Sequence, residues 1–306
     1  MSIKNFLILL MVSVLWGGSF LFLRLLIMDG LEPLQIVSIR MFLAAIFIIP
    51  FFLKKLKKHS FYYHGFPFLL IGILNTALPF TLFSFASVQL GAGTLSILQA
   101  TVPIFTALIL FSLYKGEYSF MKLVGVLIGF VGLFILVGPN SSLDTFSGVL
   151  CVIASLSYAV AGIYLSKTPD KMNNSLIGMG SIIVGAIIMF PFIFTGTNSI
   201  MSISSQSWIY LFLLGVVNTS LAYVVFIKLI KRIGPINASF VTYLVPLSSI
   251  SLGIIFLGES LTLVMTLGGL LIFLGVFFAN NQKNVWNCVN PIVNVAYLWQ
   301  YRDLNV

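Results

Sequence analysis

Long apolar runs, interrupted by short polar segments, form the main pattern of this 306-residue chain. Ten of the runs have about the length that a helix needs to cross a bilayer, which is roughly 20 residues. Turn-favouring residues separate them, as in Asp29-Gly30 and Gly258-Glu259-Ser260. The pattern predicts an all-α membrane protein with ten transmembrane helices. These cover residues 6–28, 34–53, 66–88, 93–114, 121–138, 146–166, 176–195, 208–228, 235–257 and 262–280.

Composition narrows the class of protein. Hydrophobic residues make up 59% of the chain and charged residues 8%, whereas roughly a quarter of the residues of a soluble domain are charged. This excludes an ordinary cytosolic enzyme. The net charge of +9 does not indicate a nucleic-acid binder, because long uncharged runs separate the basic residues instead of gathering them on one solvated face.

The chain offers little for cofactor or metal chemistry. Its two cysteines, Cys151 and Cys288, are too few for a four-ligand metal site. Both histidines flank a basic loop without a carboxylate cluster, which argues against an integral membrane enzyme. No Walker motif is present, and glycines spaced by four and seven, as at 125–132 and 268–275, favour close packing of helices five and ten. We therefore predict no catalytic residue, no cofactor and no metal.

The distribution of positive charge predicts the orientation. Cytoplasmic loops retain Lys and Arg. With the N-terminus inside, 14 of the 16 positive residues fall on the cytoplasmic side, and the other two, Arg24 and Arg40, fall within spans. We expect a multi-pass protein of the cell (inner) membrane with both termini cytoplasmic, including a C-terminal tail at 282–306.

An internal repeat appears when the sequence is shifted by 143 residues. It predicts two five-helix repeats, residues 1–140 and 141–281. Because each repeat has an odd number of helices, the second is inverted in the membrane. The matched positions are Gly72 with Gly215, Asn75-Thr76 with Asn218-Thr219, Phe83 with Phe226, Val102-Pro103 with Val245-Pro246, and, after a one-residue slip, Gly116-Glu117 with Gly258-Glu259.

Inverted repeats around a site at the membrane midplane are the architecture of alternating-access transporters. The stretch Leu15-Trp16-Gly17-Gly18-Ser19-Phe20, the segment from Pro33 to Arg40 and the Gly-Glu ends of both halves resemble the drug/metabolite transporter superfamily, and within it the ten-helix EamA-type members. The resemblance covers residues 6–280. It implies a bacterial-type inner-membrane carrier, most often an exporter of amino acids or other small metabolites, with a central cavity between the halves.

Two prolines occupy equivalent places near the middle of helices four and nine. Pro103 and Pro246 remove backbone donors and free the carbonyls of Gln99 and Thr242. In hydrocarbon a freed carbonyl needs a polar partner. The pair predicts hinges, and a static bend filled by packing is the alternative.

Polar side chains at membrane depth are candidates for a substrate-binding cavity, because such groups tend to face the bundle interior. Interhelical hydrogen bonds or core packing are the alternative for each of them. The candidates are Trp16, Ser19, Asn75, Thr76, Gln99, Tyr158, Asn218, Thr219, Thr242 and Tyr243.

Three charged residues within spans or at span ends are further candidates. Arg40 lies about two turns inside helix two, where a guanidinium is costly unless paired; it serves either a structural role or the binding of a substrate carboxylate. Glu117 and Glu259 close helices four and nine at opposite faces, which predicts capping or an interhelical contact at the start of the next helix. Coupling-ion chemistry is the alternative for both.

The leading hypothesis is a secondary active transporter that exports a small metabolite, amino-acid-like or a related polar or amphiphilic solute, by alternating access. Its expected partners are this substrate and the lipid bilayer. Proton coupling is unproven, because the membrane-embedded Glu of smaller superfamily members has no counterpart in helix one or six. The alternatives are an importer of the same superfamily and a non-transporting membrane scaffold.

Overall fold

The computed structural model describes residues 2–56, 65–113, 120–137, 144–166, 173–195, 200–238 and 241–280. This part of the chain is helical apart from short turns, and it contains no strand. Its helices group into ten spans, so the predicted all-α membrane fold is confirmed. The spans are α1 Ile3–Met28, α2 Pro33–Leu56, α3 Gly65–Ala86, α4 Ala92–Gln99 with Val102–Leu113, α5 Phe120–Val137, α6 Thr145–Ser166, α7 Asn174–Phe194, α8 Ser205–Phe212 with Leu213–Leu221 and Ala222–Ala238, α9 Val241–Leu257, and α10 Leu263–Asn280.

The outer surface of the bundle suits a lipid environment. Seven spans are long and apolar enough to cross a membrane, and shorter apolar helices lie in α5, α9 and α10. Large apolar side chains point outward, among them Phe134 (68% exposed), Phe146 (70%) and Ile255 (71%). Helices satisfy their own backbone polar groups, so an apolar outer face can contact lipid directly.

Two spans differ from their predicted form. α4 is interrupted at Ala100 and Thr101 rather than bent at Pro103, because Pro103 is the second residue of a new helical segment, where a missing N–H costs no helical hydrogen bond. The Leu98 carbonyl at this break accepts hydrogen bonds from Thr101 Oγ1 at 2.6 Å and from Ser155 Oγ of α6 at 3.0 Å.

α8 continues to Ala238, beyond the predicted end of helix eight at residue 228 and past Gly234-Pro235. Gly and Pro make a helix boundary probable without enforcing it. The predicted C-terminal tail, residues 282–306, lies outside the described residues.

The helices of the first half, α1–α5, interleave with those of the second, α6–α10. α2 packs on α7 and α8, while α3 packs on α7; α1 packs on α8 and α9, while α6 packs on α3 and α4. The repeat matches α1 to α5 with α6 to α10. A contact between helices of the two halves therefore has a matching contact in which the halves exchange roles, as α2 on α8 matches α7 on α3. The two halves therefore share one interior.

A glycine seam joins α5 and α10, as predicted. A Cβ on Gly132 would lie 2.7 Å from the Gly268 carbonyl oxygen, and one on Gly275 would lie 2.6 Å from the Gly125 carbonyl oxygen. Only glycine permits backbones to approach this closely. α5 and α10 thus form a fixed pair between corresponding helices of the two halves.

Candidate functional site

Two stretches of π-helix, with backbone hydrogen bonds from residue i+5 to residue i, interrupt α3 and α8. They cover Ile73–Ala77 and Leu213–Leu221. Each contains one copy of the repeated Asn-Thr pair, so both halves carry the irregularity at equivalent places. Such segments are frequent at functional sites. The repeat revealed the paired residues, but the π-helix itself has no compositional signal.

Arg40 of α2 lies where the first half meets α8. It is 7% exposed, its Nε donates to Thr219 Oγ1 at 3.0 Å, and its guanidinium carbon lies 3.8 Å from the ring centroid of Phe80. The charge also interacts with the Tyr158 hydroxyl of α6. Gly215 permits the approach of α8, since a Cβ there would lie 2.7 Å from the Arg40 carbonyl oxygen. A hydroxyl, an aromatic face and a phenol surround this buried cation, and none of the three is a carboxylate.

Two polar groups where α1 meets α8 have no hydrogen-bond partner within the described ranges. They are Ser19 Oγ of α1 and Asn218 Nδ2 of α8, in residues that are 9% and 3% exposed. Asn218 precedes Thr219, and its Nδ2 lies 3.3 Å from the place of a Cβ on Gly18, next to Ser19. Buried polar groups are nearly always paired, so these two indicate a position that the protein alone leaves unsatisfied.

Two aromatic pairs join helices of the first half to helices of the second. Trp16 of α1 packs on Phe226 of α8 with ring centroids 4.7 Å apart, and Tyr158 of α6 stacks on Phe83 of α3 at 6.3 Å. Phe83 and Phe226 are matched positions of the repeat, so the repeat itself could have indicated both as candidate residues. Two predicted residues, Trp16 and Tyr158, therefore lie at contacts between the first and second halves. Gln99 is half-buried at the end of the first helical segment of α4.

The Asn-Thr pair of the first half has other neighbours. The Thr76 hydroxyl hydrogen-bonds the Gly72 carbonyl of its own helix and the Ser181 carbonyl of α7, the latter at 3.2 Å. Asn75 is half-buried in the same π segment. These contacts place Thr76 against α7.

The hinge candidates and their neighbours lie on α4 and α9. Pro246 is buried inside a continuous helix, whereas Pro103 follows the break in α4. Tyr243 stacks on Phe273 of α10 with centroids 6.5 Å apart, and Thr242 is half-buried on the same turn of α9. Tyr243 therefore contacts the α5–α10 pair.

Hydrogen bonds join the helices at the end of the bundle where α1 ends, which we call the Asp29 face. Ser207 at the start of α8 donates to Asp29 Oδ2 at 2.6 Å, linking the second half to the first. Within the first half, Arg24 donates to the carbonyls of Ser87 and Val88 at the end of α3, the second at 2.8 Å. A cation at a helix C-terminus is favourable because the helix dipole is negative there.

Glu259 adds a second link between the halves at this face. Its carboxylate accepts from Ala92 N at 2.6 Å and from Gly93 N at 3.1 Å, so it caps α4. The prediction that it acts at the start of the next helix, α10, was wrong. Gly91 explains the difference, because a Cβ there would lie 2.6 Å from Glu259 Oε1 and would exclude the carboxylate from α4. Glu117 lies outside the described residues.

Within the part of the chain that the structure describes, no three His, Cys, Asp or Glu side chains are grouped so as to hold a metal ion. The buried interior where the halves meet therefore offers hydrogen-bond donors, one cation and aromatic rings. Groups of these kinds can form hydrogen bonds, ion pairs and stacking contacts with a solute.

Comparison with known proteins agrees with this architecture. The model of the EamA-like transporter family matches the chain twice, over residues 3–138 and 145–281. A solved crystal structure superposes with a TM-score of 0.59 at 12% sequence identity, covering 92% of this chain and 97% of the other, which shows a shared fold.

Curated relatives extend over most of the chain. The uncharacterized transporter YoaV of Bacillus subtilis is 28% identical over 295 residues, covering 90% of this chain and 96% of the relative. An uncharacterized transporter of Archaeoglobus fulgidus is 25% identical over 295 residues, covering 93% and 100%. The uncharacterized inner membrane transporter YedA of Escherichia coli K12 is 24% identical over 263 residues, covering 85% of each.

Proposed function

Because the chain belongs to the EamA-like transporter family and is a multi-pass membrane transporter, we propose that it is a secondary active transporter that exports a small metabolite by alternating access. The metabolite is amino-acid-like or a related polar or amphiphilic solute. The observation that carries the proposal is the buried contact of Arg40 with Thr219, in which side chains of opposite halves meet within the spans.

A site shared by the halves suits alternating access. When one half tilts against the other, contacts between halves break at one membrane face and form at the other, while the shared site changes the side to which it is open. The bonds from Ser207 to Asp29 and from Ala92 and Gly93 to Glu259 join the halves at the Asp29 face. In this proposal they break when that face opens, and the orphaned groups Ser19 Oγ and Asn218 Nδ2 bind the solute.

Flux into proteoliposomes tests transport. Purified full-length protein is reconstituted and assayed with radiolabelled amino acids, nucleosides and related metabolites by counterflow, so that no coupling ion is needed. Asn218→Leu is expected to lower flux at least tenfold or change the preferred solute, because a solute loses its hydrogen bond to a buried amide. Phe134→Ala, on the lipid-facing side of α5, is the control. Absence of flux for every solute with folded protein, or full activity of Asn218→Leu, contradicts the proposal.

Cross-linking tests the proposed opening. Cysteines replace Asp29 and Ser207 in a chain whose native Cys151 and Cys288 are changed to alanine. Oxidation is expected to stop flux, and reductant to restore it. The single variants Asp29→Cys and Ser207→Cys, treated with the same oxidant, provide the matched control and should keep their flux. Undiminished flux after complete cross-linking of the Asp29–Ser207 pair argues against movement at this face.

Export, proton coupling and orientation are parts of the same proposal. The proposal places residues 1–140 and 141–281 as the two moving repeats and both termini in the cytoplasm of an inner membrane, in agreement with the distribution of Lys and Arg. An imposed pH gradient should drive solute accumulation against its own gradient if protons are exchanged. An accumulation ratio independent of the pH gradient rejects proton coupling.

A further inference from the structure

Arg40 and the two orphaned groups supply hydrogen-bond donors and a positive charge, and Asn218 directly precedes Thr219, the residue to which Arg40 donates. We propose that this site binds the carboxylate of an organic acid whose remaining body is uncharged and apolar. The inference rests on the proposed function and specifies its substrate class. Both halves contribute, with Ser19 and Arg40 from the first and Asn218 and Thr219 from the second.

The two orphaned groups can both donate. Asn218 Nδ2 carries two N–H groups and accepts nothing, and Ser19 Oγ carries one O–H. A serine in a helix commonly donates to the carbonyl four residues earlier, as Ser13 of the same helix does to Leu9 at 2.9 Å. Ser19 makes no such bond within the described residues, so its hydroxyl is available to an acceptor from outside.

The charge points to an anionic acceptor. Arg40 is buried, and its recorded neighbours are the Thr219 hydroxyl, the Phe80 ring and the Tyr158 phenol. A buried cation without an anion is unfavourable, and a carboxylate supplies both the opposite charge and several acceptor positions.

The absence of carboxylates from the predicted spans indicates that the rest of the solute is uncharged. Each of the seven Asp and Glu residues lies outside the ten predicted spans, so the chain offers no membrane-depth carboxylate to pair with an ammonium group. Trp16 and Phe226 instead present an aromatic surface at the same α1–α8 contact. Together these features favour an acid with an apolar or aromatic body over a zwitterion.

Three probes of one skeleton test this chemistry. The full-length protein, purified in detergent, is titrated calorimetrically with 3-phenylpropanoate, with its neutral amide and with phenylalanine, which adds an ammonium group. We expect 3-phenylpropanoate to bind at least tenfold more tightly than the other two. Arg40→Gln should weaken its binding by about 10- to 100-fold, because a hydrogen-bonded charge pair is lost.

Matched variants separate binding from folding. Arg24→Gln removes an arginine of the same half at the Asp29 face and should leave the affinity unchanged. Ser19→Ala should weaken binding about three- to tenfold, whereas Ser13→Ala should not, and this pair decides the matter if Arg40→Gln fails to fold. The proposal is overturned if folded wild-type protein does not bind 3-phenylpropanoate, if the amide or phenylalanine binds equally well, or if chloride competes as strongly as the carboxylate.

Failure of this inference differs from failure of the proposed function. Flux of a neutral or zwitterionic solute that is unaffected by Arg40→Gln would contradict the carboxylate site and support transport. Specific binding of 3-phenylpropanoate without flux of it or of any other solute would support the carboxylate site and contradict the proposed transport.

Discussion

The π segments of α3 and α8 contain the same Asn-Thr pair at equivalent places, yet their threonines have different partners. Each threonine hydroxyl donates to a carbonyl of its own helix, but the partners on neighbouring helices differ. Thr76 donates to the Ser181 carbonyl of α7, whereas Thr219 accepts a hydrogen bond from the Arg40 guanidinium of α2. The 143-residue shift pairs Arg40 with Ile183. Thus α7 carries an apolar residue at the position where α2 carries a cation.

This difference shows how a duplicated scaffold acquires an asymmetric site. The backbone arrangement is repeated, since Gly72 lets α3 approach α7 and Gly215 lets α8 approach α2. The charge is not repeated. We therefore expect binding chemistry at positions where the two halves differ, within a framework that their similarity maintains.

The largest expected effect tests the repeated framework. Gly215→Ala should lower the free energy of unfolding by about 2–3 kcal/mol, because its Cβ would lie 2.7 Å from the Arg40 carbonyl oxygen, which belongs to rigid backbone. Gly72→Ala should cost less, about 1–2 kcal/mol, since its nearest obstacle is Val184 Cγ1 at 2.8 Å and the nearest backbone atom, the Ser181 carbonyl oxygen, lies 3.3 Å away. Unfolding in mixed micelles by added SDS measures both.

Gly162 of α6 is the control, because nothing lies within 4 Å of its Cβ position. Alanine there should be neutral or slightly stabilising. Equal losses at Gly215 and Gly72 would show that the two approaches are equally tight, which would contradict the contacts described above.

The next-largest expected effect concerns the difference between the matched residues Thr219 and Thr76. Thr219→Val should lower counterflow of the transported solute about tenfold, because Arg40 loses a hydrogen bond in a buried place. Thr76→Val, an equally conservative change at the matched position, should lower it less than about twofold, since its bonds join only helix backbones. Similar losses for both variants would assign Thr219 a structural role like that of Thr76.

A smaller effect concerns the link between halves at the Asp29 face. Glu259→Gln keeps the shape of the side chain but leaves one carbonyl oxygen to accept from the Ala92 and Gly93 amides. Stability should fall by about 1 kcal/mol, as for the loss of a helix cap, and thermal unfolding of the purified protein measures it. Ser260→Ala, a neighbouring exposed change, is the control. An unchanged midpoint for Glu259→Gln would mean that the cap contributes nothing to stability.

The sequence predicted ten spans and two matched halves because apolar length and repeated polar pairs are local properties. It also indicated Arg40, Thr219, Asn218 and Tyr158 as candidate cavity residues, since polar groups at membrane depth are few. It could not predict that Thr76 and Thr219 differ, because their own segments are alike and the partner helices decide. The target of Glu259 on α4 was missed for the same reason, as it depends on contact between residues 166 or more positions apart.

The smallest expected effect separates the N-termini of α1 and α6, the first helices of the two halves. The Ser2 hydroxyl accepts from Asn5 N at 3.4 Å and caps α1, whereas Asp144 Oδ2 accepts from Ser147 N at 2.8 Å and caps α6. Hydrogen bonds from Ser147 hold the pKa of Asp144 below its ordinary value. Only the second half therefore begins with a cap that titrates.

A carboxyl whose pKa is lower in the folded than in the unfolded state stabilises the fold above its unfolded pKa and loses that contribution as pH falls through the folded pKa. Asp144→Ala should therefore lower the thermal midpoint at neutral pH, and its difference from wild type should shrink between about pH 4 and more acidic conditions. The deficit of Ser2→Ala should not depend on pH, because a hydroxyl does not titrate there. A pH-independent deficit for Asp144→Ala would show that the cap acts by its shape and not by its charge, and the two helix starts would then be equivalent.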